Sequence, residues 1–127
     1  MPQTFDQTIA TQAITLVQAV PANQQTEYKS ACEALSALLR RVGLARTLAL
    51  LRSKKGAQSL LAAHIQQQFH LALGAPGDLL ANHVQANIDT HRLHIELAQA
   101  VALWHKRMVQ SLFGSPAPPA QPTEPVV

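Results

Sequence analysis

Six histidines, one cysteine and seven acidic residues are the side chains of this sequence that could perform chemistry. His91 and His94 lie three residues apart in a segment with helical periodicity, and two histidines so placed can share a metal ion. However, no cysteine or carboxylate stands at a matching helical spacing, and a zinc-peptidase helix needs histidines four residues apart. The sequence therefore predicts no metal site and no cofactor.

The other candidates for catalysis lie in apolar stripes or stand alone. His94 and His105 fall within the apolar stripe of the last predicted helix, which is typical of core histidines. Cys32 falls in a second such stripe, where a thiol is usually inert. The remaining histidines are scattered and indicate no site: His64, His70 and His83. Because no phosphate-binding loop, serine elbow or carboxylate pair is present either, we predict that the protein is not an enzyme.

Positive charge is concentrated in residues 37–56. This stretch holds six of the ten lysines and arginines: Arg40, Arg41, Arg46, Arg52, Lys54 and Lys55. No acidic residue lies between Glu33 and Asp78. Only Glu33, near Arg40 and Lys29, therefore stands at a helical spacing that could offset the repulsion between these basic side chains. We therefore expect a partner to supply the missing anion, and the phosphates of a nucleic acid do so without any reading of bases.

Three other interpretations of this basic stretch stay open. The first is a solvated surface with no ligand, and the second is an interaction adaptor that binds no nucleic acid. The third is a DNA-binding regulator with a helix-turn-helix in "RRVGLARTLALLR", where Gly43 would form the turn. Such a recognition helix would expose leucines and lack the residues that read base edges. No aromatic residue lies in the stretch to stack on single-stranded bases.

The elements that carry these residues are predicted to be helices. Apolar residues recur at helical spacing almost throughout, and no segment alternates with a period of two, so we expect an all-α fold. Gly43 is expected to cap a helix in the left-handed conformation. The predicted helices cover about 4–20, 26–42, 44–55 and 58–73, followed by a short helix from Asp78 and a long one after a break near 87–90. The apolar stripe of the long helix is expected to be Leu93, Leu97, Val101, Trp104, Met108 and Leu112.

Length and composition favour one domain in a reducing compartment. A chain of 127 residues is long enough to bury a core without disulfide bonds or a structural metal. Residues 1–113 are predicted to form one bundle of about five to six helices. Residues 114–127 contain five prolines and are predicted to be a disordered tail. The single cysteine and the lack of a signal segment favour the cytoplasm. The uncharged stretch 56–77 contains too many glutamines and histidines for a membrane span, so no membrane partner is expected.

Several leucines lie outside the predicted core stripes of their helices. Exposed apolar residues on helices that already have a full core face favour contact with other subunits. The candidates for such protein contacts are Leu50, Leu60, Leu71 and Leu103.

Two passages resemble a known family. "EYKSACEALSALLRRVGLARTLALLRSKKG" resembles the helix, Gly-Leu turn, Ala-Leu-rich helix and Ser-Lys exit of the small helical subunit of the type III-B CRISPR effector, the Cmr complex. "DTHRLHIELAQAVALWHKRMVQSLF" is similar to the last helix of that family. The resemblance covers about Glu27 to Phe113. It departs from the family pattern at His91, where an aromatic residue is expected, and in the proline-rich tail.

The resemblance implies a non-catalytic subunit that lies in more than one copy along the inner groove of an RNA-guided complex. Its implied partners are the backbone and large subunits, adjacent copies of itself, the guide RNA and the single-stranded target RNA. Cleavage and nucleotide synthesis are implied to belong to other subunits. The basic stretch would then face phosphates, with Lys106 and Arg107 as a second RNA-binding patch, and the surplus leucines would contact neighbouring subunits.

Overall fold

The structure is a computed structural model that describes residues 5–74 and 77–113. Its elements are α1 (Phe5–Gln18), a 3₁₀ turn (Ala22–Gln24), α2 (Gln25–Ser53), α3 (Ala57–Leu73), α4 (Leu79–Val84) and α5 (Ile88–Leu112). No strand occurs in these two ranges, so the predicted all-α bundle is confirmed. The predicted tail, 114–127, lies outside the described residues, and the division into bundle and tail stays a prediction.

The long α2 helix is the centre of the bundle. It packs against α3 on one side and α5 on another, and α5 also packs against α1, while the short α4 lies against α2 and α5. The core is built mainly from leucine, alanine and valine, with Tyr28 and Ile65 among its largest fully or nearly fully buried side chains. At about 25 cal/mol per Å² of buried apolar surface, such packing is the main stabilising contribution to folding.

Gly43 interrupts α2 where the sequence predicts a boundary between two helices. The structure has a kink at this position, where two helical halves of α2 meet and Gly43 alone is non-helical (φ 85°, ψ 169°), so the predicted boundary is confirmed. The positive φ agrees with the predicted use of glycine, but the ψ is extended, so the predicted left-handed cap is wrong. A Cβ at this position would have no atom within 4 Å, so the backbone angle rather than space favours glycine.

The ends of α4 and α5 are fixed by side-chain caps. Asp78 Oδ2 accepts a hydrogen bond from the backbone N–H of Ala81 at 3.1 Å, which confirms Asp78 as the predicted cap. Asn87 Oδ1 accepts one from the N–H of Thr90 at 2.8 Å, at the predicted break between the two helices. These caps satisfy N–H groups that a helix start leaves without an intrahelical partner.

The buried face of α5 differs from the predicted stripe. Leu93 and Leu112 are each 43% exposed, so their placement in the core is wrong. The side chains that do face the core are His94, Leu97, Ala98, Val101, Ala102, His105 and Val109. The two histidines occupy core positions because each has a buried hydrogen-bond partner, as predicted for core histidines. The predicted stripe, which follows the large apolar residues, is therefore rotated slightly around the helix relative to the face that is buried.

Within the described ranges, no helix combines the length and apolar character that crossing a membrane requires.

Candidate nucleic-acid interface

The basic stretch lies on the second half of α2, around Gly43, and at the exit of the helix. All six predicted side chains are exposed: Arg40, Arg41, Arg46, Arg52, Lys54 and Lys55. Gly43 separates Arg40 and Arg41 from the other four residues. The kink consists of the single residue Gly43, whereas a helix-turn-helix has a turn of three to four residues between its two helices. The structure therefore disfavours the DNA-reading alternative.

Arg52 differs from the other five basic residues because it has a carboxylate partner. Its guanidinium forms a two-pronged ion pair with Asp78, and its Nη2 also donates to Gln66 Oε1 at 2.8 Å. These hydrogen bonds from Arg52, together with the one from Ala81, hold the pKa of Asp78 below its usual value. The expectation that only Glu33 could balance the positive charge of the stretch is therefore wrong. Asp78 is 26 residues from Arg52 in the sequence but lies beside it in the fold.

Glu33 forms an ion pair with Lys29 and not with Arg40. The Lys29 Nζ to Glu33 Oε2 distance is 3.9 Å, while Arg40 Nη1 donates to Ser36 Oγ at 3.0 Å. Ser36 in turn donates to Gln99 Oε1 on α5 at 2.9 Å, which fixes the direction of the Arg40 side chain. Within the described ranges, five basic residues of the stretch thus have no carboxylate partner, and we call them the unpaired basic group: Arg40, Arg41, Arg46, Lys54 and Lys55.

The unpaired basic group lies on both sides of the kink at Gly43 and beyond the last residue of α2, so it does not form a single flat face. Arg46 and Arg52 are six residues apart, which places them about 120° apart around the helix, so Arg46 points away from the Arg52–Asp78 pair. Beside Arg40, the interrupted helix leaves a cavity of about 300 Å³ against α5. Its wall is mostly apolar, with Leu39, Leu44, Ile95 and Ala98 beside Gly43, Arg40 and Gln99. The arrangement can hold phosphates at several positions but offers no aromatic platform for bases.

The second predicted patch consists of Lys106 and Arg107, and only Arg107 is exposed. Lys106 is half-buried, and the guanidinium carbon of Arg107 lies 5.9 Å from the centre of the Trp104 ring. Trp104 itself donates from Nε1 to Asp6 Oδ1 at 2.8 Å, which ties α5 to the start of α1. Arg107 therefore has an aromatic neighbour within its own helix, but its exposed charge is still open to a phosphate.

Three of the four predicted contact leucines are exposed. Leu50 is 43%, Leu71 58% and Leu103 44% exposed. Leu60 is different, since it is half-buried and packs against the core, so its placement outside the core stripe is wrong. The most exposed large apolar residue in the described ranges is Ile88, at 72%, which the sequence reasoning missed because it precedes the predicted stripe of α5.

The histidines form two buried clusters, although the sequence indicated no site for His64 and His83. In the first cluster, the Tyr28 hydroxyl lies 2.7 Å from His64 Nδ1 and 3.1 Å from His105 Nδ1. On its other side, His105 Nε2 contacts Gln68 Oε1, and Gln68 Nε2 donates to the carbonyl oxygen of Ile9 at 3.2 Å. This network joins all four long helices through the centre of the bundle.

The directions of these hydrogen bonds follow from the donors available. The carboxamide oxygen of Gln68 can only accept, so His105 carries its proton on Nε2, and its Nδ1 must accept from the Tyr28 hydroxyl. The hydroxyl has then used its one proton, so His64 Nδ1–H donates to the hydroxyl oxygen. Every one of these atoms has a partner when both imidazoles are neutral.

Burial keeps this network neutral and unreactive. Removal from water lowers the pKa of His64 to about 4 and that of His105 to about 3. Burial also raises the pKa of Tyr28 and of the neighbouring Cys32 well above their ordinary values. Cys32 is fully buried, as predicted, and its thiol stays protonated at neutral pH. The network is therefore structural, and its groups are neither exposed nor charged enough to act on a substrate.

The second cluster joins α4 to α5. His83 Nδ1 lies 3.0 Å from His94 Nδ1, and the rings of His83 and His91 stack with their centres 4.0 Å apart. His70 stays apart from both clusters, with its Nε2 2.8 Å from the carbonyl oxygen of Gly77. In the part of the chain that the structure describes, no group of three or more histidine, cysteine or acidic residues has the geometry to hold a metal ion.

The fold and its surface together define a class of protein. It is a small helical bundle whose polar side chains in the core bond to one another, and whose basic residues and leucines point outward. Such a surface is suited to binding macromolecules.

Comparison with known proteins then identifies the family. The model of the CRISPR-associated protein family Cas_Cmr5 matches residues 5–112. The X-ray crystal structure of a CRISPR-associated Cmr5 family protein from Thermus thermophilus superposes with a TM-score of 0.76 at 26% sequence identity. That match covers 87% of this chain and 98% of the Thermus chain. No curated protein matches the chain. The chain belongs to the Cas_Cmr5 family, which confirms the predicted resemblance to the small subunit of the Cmr complex.

Proposed function

We propose that this chain is a non-catalytic small subunit of an RNA-guided, RNA-targeting type III-B CRISPR effector in the cytoplasm. In this role it lines the groove that holds the guide and target RNA, and it contacts their backbone phosphates through its basic residues. The observation that carries the proposal is the unpaired basic group, five exposed cations without a carboxylate partner within the described ranges.

Electrostatics supports a polyphosphate as the partner of this group. Each lysine or arginine that neutralises a phosphate releases condensed counterions, and this gain requires only positive charge at roughly backbone spacing. The group lies on both sides of the kink at Gly43 and beyond the end of α2, whereas a helix that inserts into a DNA groove presents its contacts from one helix face. The absence of aromatic residues between residues 37 and 56 matches binding without base preference.

The subunit partners are the backbone and large subunits of the complex and adjacent copies of this chain. Leu50, Leu71 and Leu103 lie on three different helices, so they offer apolar contacts in several directions. An assembly member that touches several neighbours needs such contacts, whereas a free-standing regulator would bury them in one two-fold interface. Leu60, which is half-buried against the core, contributes less to these contacts.

Affinity purification from the native host tests this proposal. Tagged protein is expected to recover several larger subunits in fixed ratios together with a discrete RNA of guide length. Replacing the unpaired basic group by glutamine should reduce the recovered RNA or the binding of target RNA, while the subunits still assemble. Arg52→Gln is the matched control, because Arg52 is already paired with Asp78.

Recovery of the protein alone, or with genomic DNA, would contradict the proposal and favour the regulator. Recovery of the subunits with no change in RNA when the unpaired basic group is neutralised would favour the adaptor instead. The salt dependence of the two interactions separates these cases further, since phosphate contacts weaken steeply with ionic strength and apolar contacts do not.

A further inference from the structure

The cluster of His83, His91 and His94 stands at the contact between the short α4 helix and α5, and neither the fold nor the proposed function explains it. Both His83 and His94 are almost fully buried, at 2% and 5% exposure. His94 also packs edge-on against Phe69 of α3, with ring centres 5.6 Å apart. The cluster therefore lies where three helices meet.

The hydrogen bond between the two buried imidazoles limits how many protons the cluster can hold. His83 Nδ1 and His94 Nδ1 are 3.0 Å apart, so one nitrogen must carry hydrogen and the other must offer its lone pair. A proton added to the accepting Nδ1 leaves two N–H groups facing each other with no acceptor between them, and one added to the far nitrogen of the donor ring leaves a buried imidazolium. The ring of His91, stacked on His83 at 4.0 Å, lies close enough to add repulsion if it is charged too.

The surroundings offer the cluster no compensating negative charge. Within the described ranges, no carboxylate forms a hydrogen bond or ion pair with any of the three imidazoles. Burial and the neighbouring imidazoles lower the pKa of His83 to about 4, and burial lowers that of His94 as well. The nearest charged or titratable groups on the packed elements are His70 on α3, the Arg52–Asp78 pair at the start of α4, and the exposed Asp89, Arg92 and Glu96 on α5.

The α4 helix is short and borders a cavity. It has six residues, and its polar contacts include the cap at Asp78, the hydrogen bond from the Leu79 N–H to Gln66 Oε1 at 3.1 Å, and the imidazole pair. A cavity of about 350 Å³, partly open to solvent, lies between α3, α4 and α5. The cavity is mainly apolar, and Phe69, Leu73 and Leu79 contribute to its wall.

We propose that the three histidines form a proton-operated latch, in which protonation of the cluster releases α4 from α5 and widens the apolar cavity while the rest of the bundle stays folded. Local opening precedes global unfolding because α4 is short and peripheral, whereas the long helices are joined by the core. In the open state the imidazoles of His83 and His94 regain water and bind protons more readily, so acid shifts the equilibrium towards opening.

Hydrogen exchange on the full chain between pH 7.5 and 5 tests the latch. After correction for the intrinsic exchange rate, the protection factors of the α4 amides should fall about tenfold per pH unit below about 6.5 for each proton bound on opening. The amides in the middle of α2 and α5 exchange only through global unfolding, so they should stay better protected than those of α4 at every pH. Fluorescence of the apolar dye 1-anilinonaphthalene-8-sulfonate should rise over the same pH range, while helix content by circular dichroism stays constant.

Two variants make the test specific. His83→Gln retains a hydrogen-bond donor for His94 but cannot be charged, so its α4 protection should lose most of its pH dependence. His70→Gln is the control, since His70 lines the same cavity outside the cluster, and it should behave like the unmodified protein. The proposal is overturned if α4 is unprotected already at pH 7.5, if its protection factors equal those of the α2 and α5 amides across the pH range, or if His83→Gln keeps the full pH dependence.

Discussion

Tyr28→Phe is the change that tests the central hydrogen-bond network most sharply. The ring of Tyr28 is fully buried and would remain so, but the hydroxyl that joins His64 to His105 would be lost. The His64 Nδ1–H would then have no acceptor, and His105 Nδ1 would have no donor. A buried polar group without its partner costs about 1–3 kcal/mol, so we expect the free energy of unfolding to fall by about 2–4 kcal/mol in all.

Urea denaturation followed by circular dichroism at pH 7.5 is the assay. For a slope of about 2 kcal/mol per molar urea, typical of a domain of this size, the midpoint should fall by about 1–2 M with the slope unchanged. A double-mutant cycle with His64→Leu supplies the control, because the two changes share one hydrogen bond. Their combined cost should fall short of the sum by at least about 0.5 kcal/mol.

If the free energy of unfolding of Tyr28→Phe is within about 0.5 kcal/mol of that of the unmodified protein, the hydroxyl does not hold the network together, because an ordinary surface substitution has an effect of that size. Full additivity with His64→Leu would lead to the same conclusion, since the two side chains would then contribute independently.

Three further predictions concern pH, the backbone and charge. Because the folded state lowers the pKa of His64 to about 4 and of His105 to about 3, the unfolded chain binds more protons below about pH 6.5, and stability should be complete above that pH. The free energy of unfolding, measured by urea denaturation at pH 7.5, 6 and 5, should therefore fall below that pH by about 1.4 kcal/mol per pH unit for each of the two histidines, and equal values would contradict the assignment. Gly43→Ala should cost about 1–3 kcal/mol of unfolding free energy because its φ of 85° strains an L-residue, and an unchanged thermal midpoint would exclude such strain. In target-RNA binding by the assembled complex, Arg46→Gln should reduce the slope of log affinity against log salt by about 0.7, whereas Arg52→Gln should leave it nearly unchanged, and equal slopes would show that pairing with Asp78 does not matter.

The sequence was sufficient to predict the helical fold, the cap at Asp78, the burial of Cys32 and the family. Each of these depends on local periodicity, on one residue type at a helix end, or on motifs contiguous in sequence. The prediction of a break at Gly43 was sound for the same reason, but the ψ angle there depends on how both halves of α2 pack against α3 and α5.

The histidine clusters and the Arg52–Asp78 pair could not be predicted, because their members are distant in sequence. Tyr28 is 36 residues from His64 and 77 from His105, and no spacing rule joins them before the helices are packed. The predicted buried face of α5 was wrong at Leu93 and Leu112, because the side that is buried depends on how α5 packs against α1 and α2. The basic stretch was visible in the sequence, but which of its charges are unpaired depends on where α4 lies.

Cross-linking of RNA to protein within the native complex tests directly whether the unpaired basic group contacts RNA. After ultraviolet irradiation of the purified assembly and digestion, RNA-linked peptides of this subunit would be identified by mass spectrometry. We expect cross-links in the peptides that contain Arg40, Arg46 and Lys54, with few at Asp89 and Glu96 of α5, and the loss of these cross-links when the unpaired basic group is replaced by glutamine. An assembled complex whose small subunit carries no RNA cross-link in this part of α2 would contradict the claim.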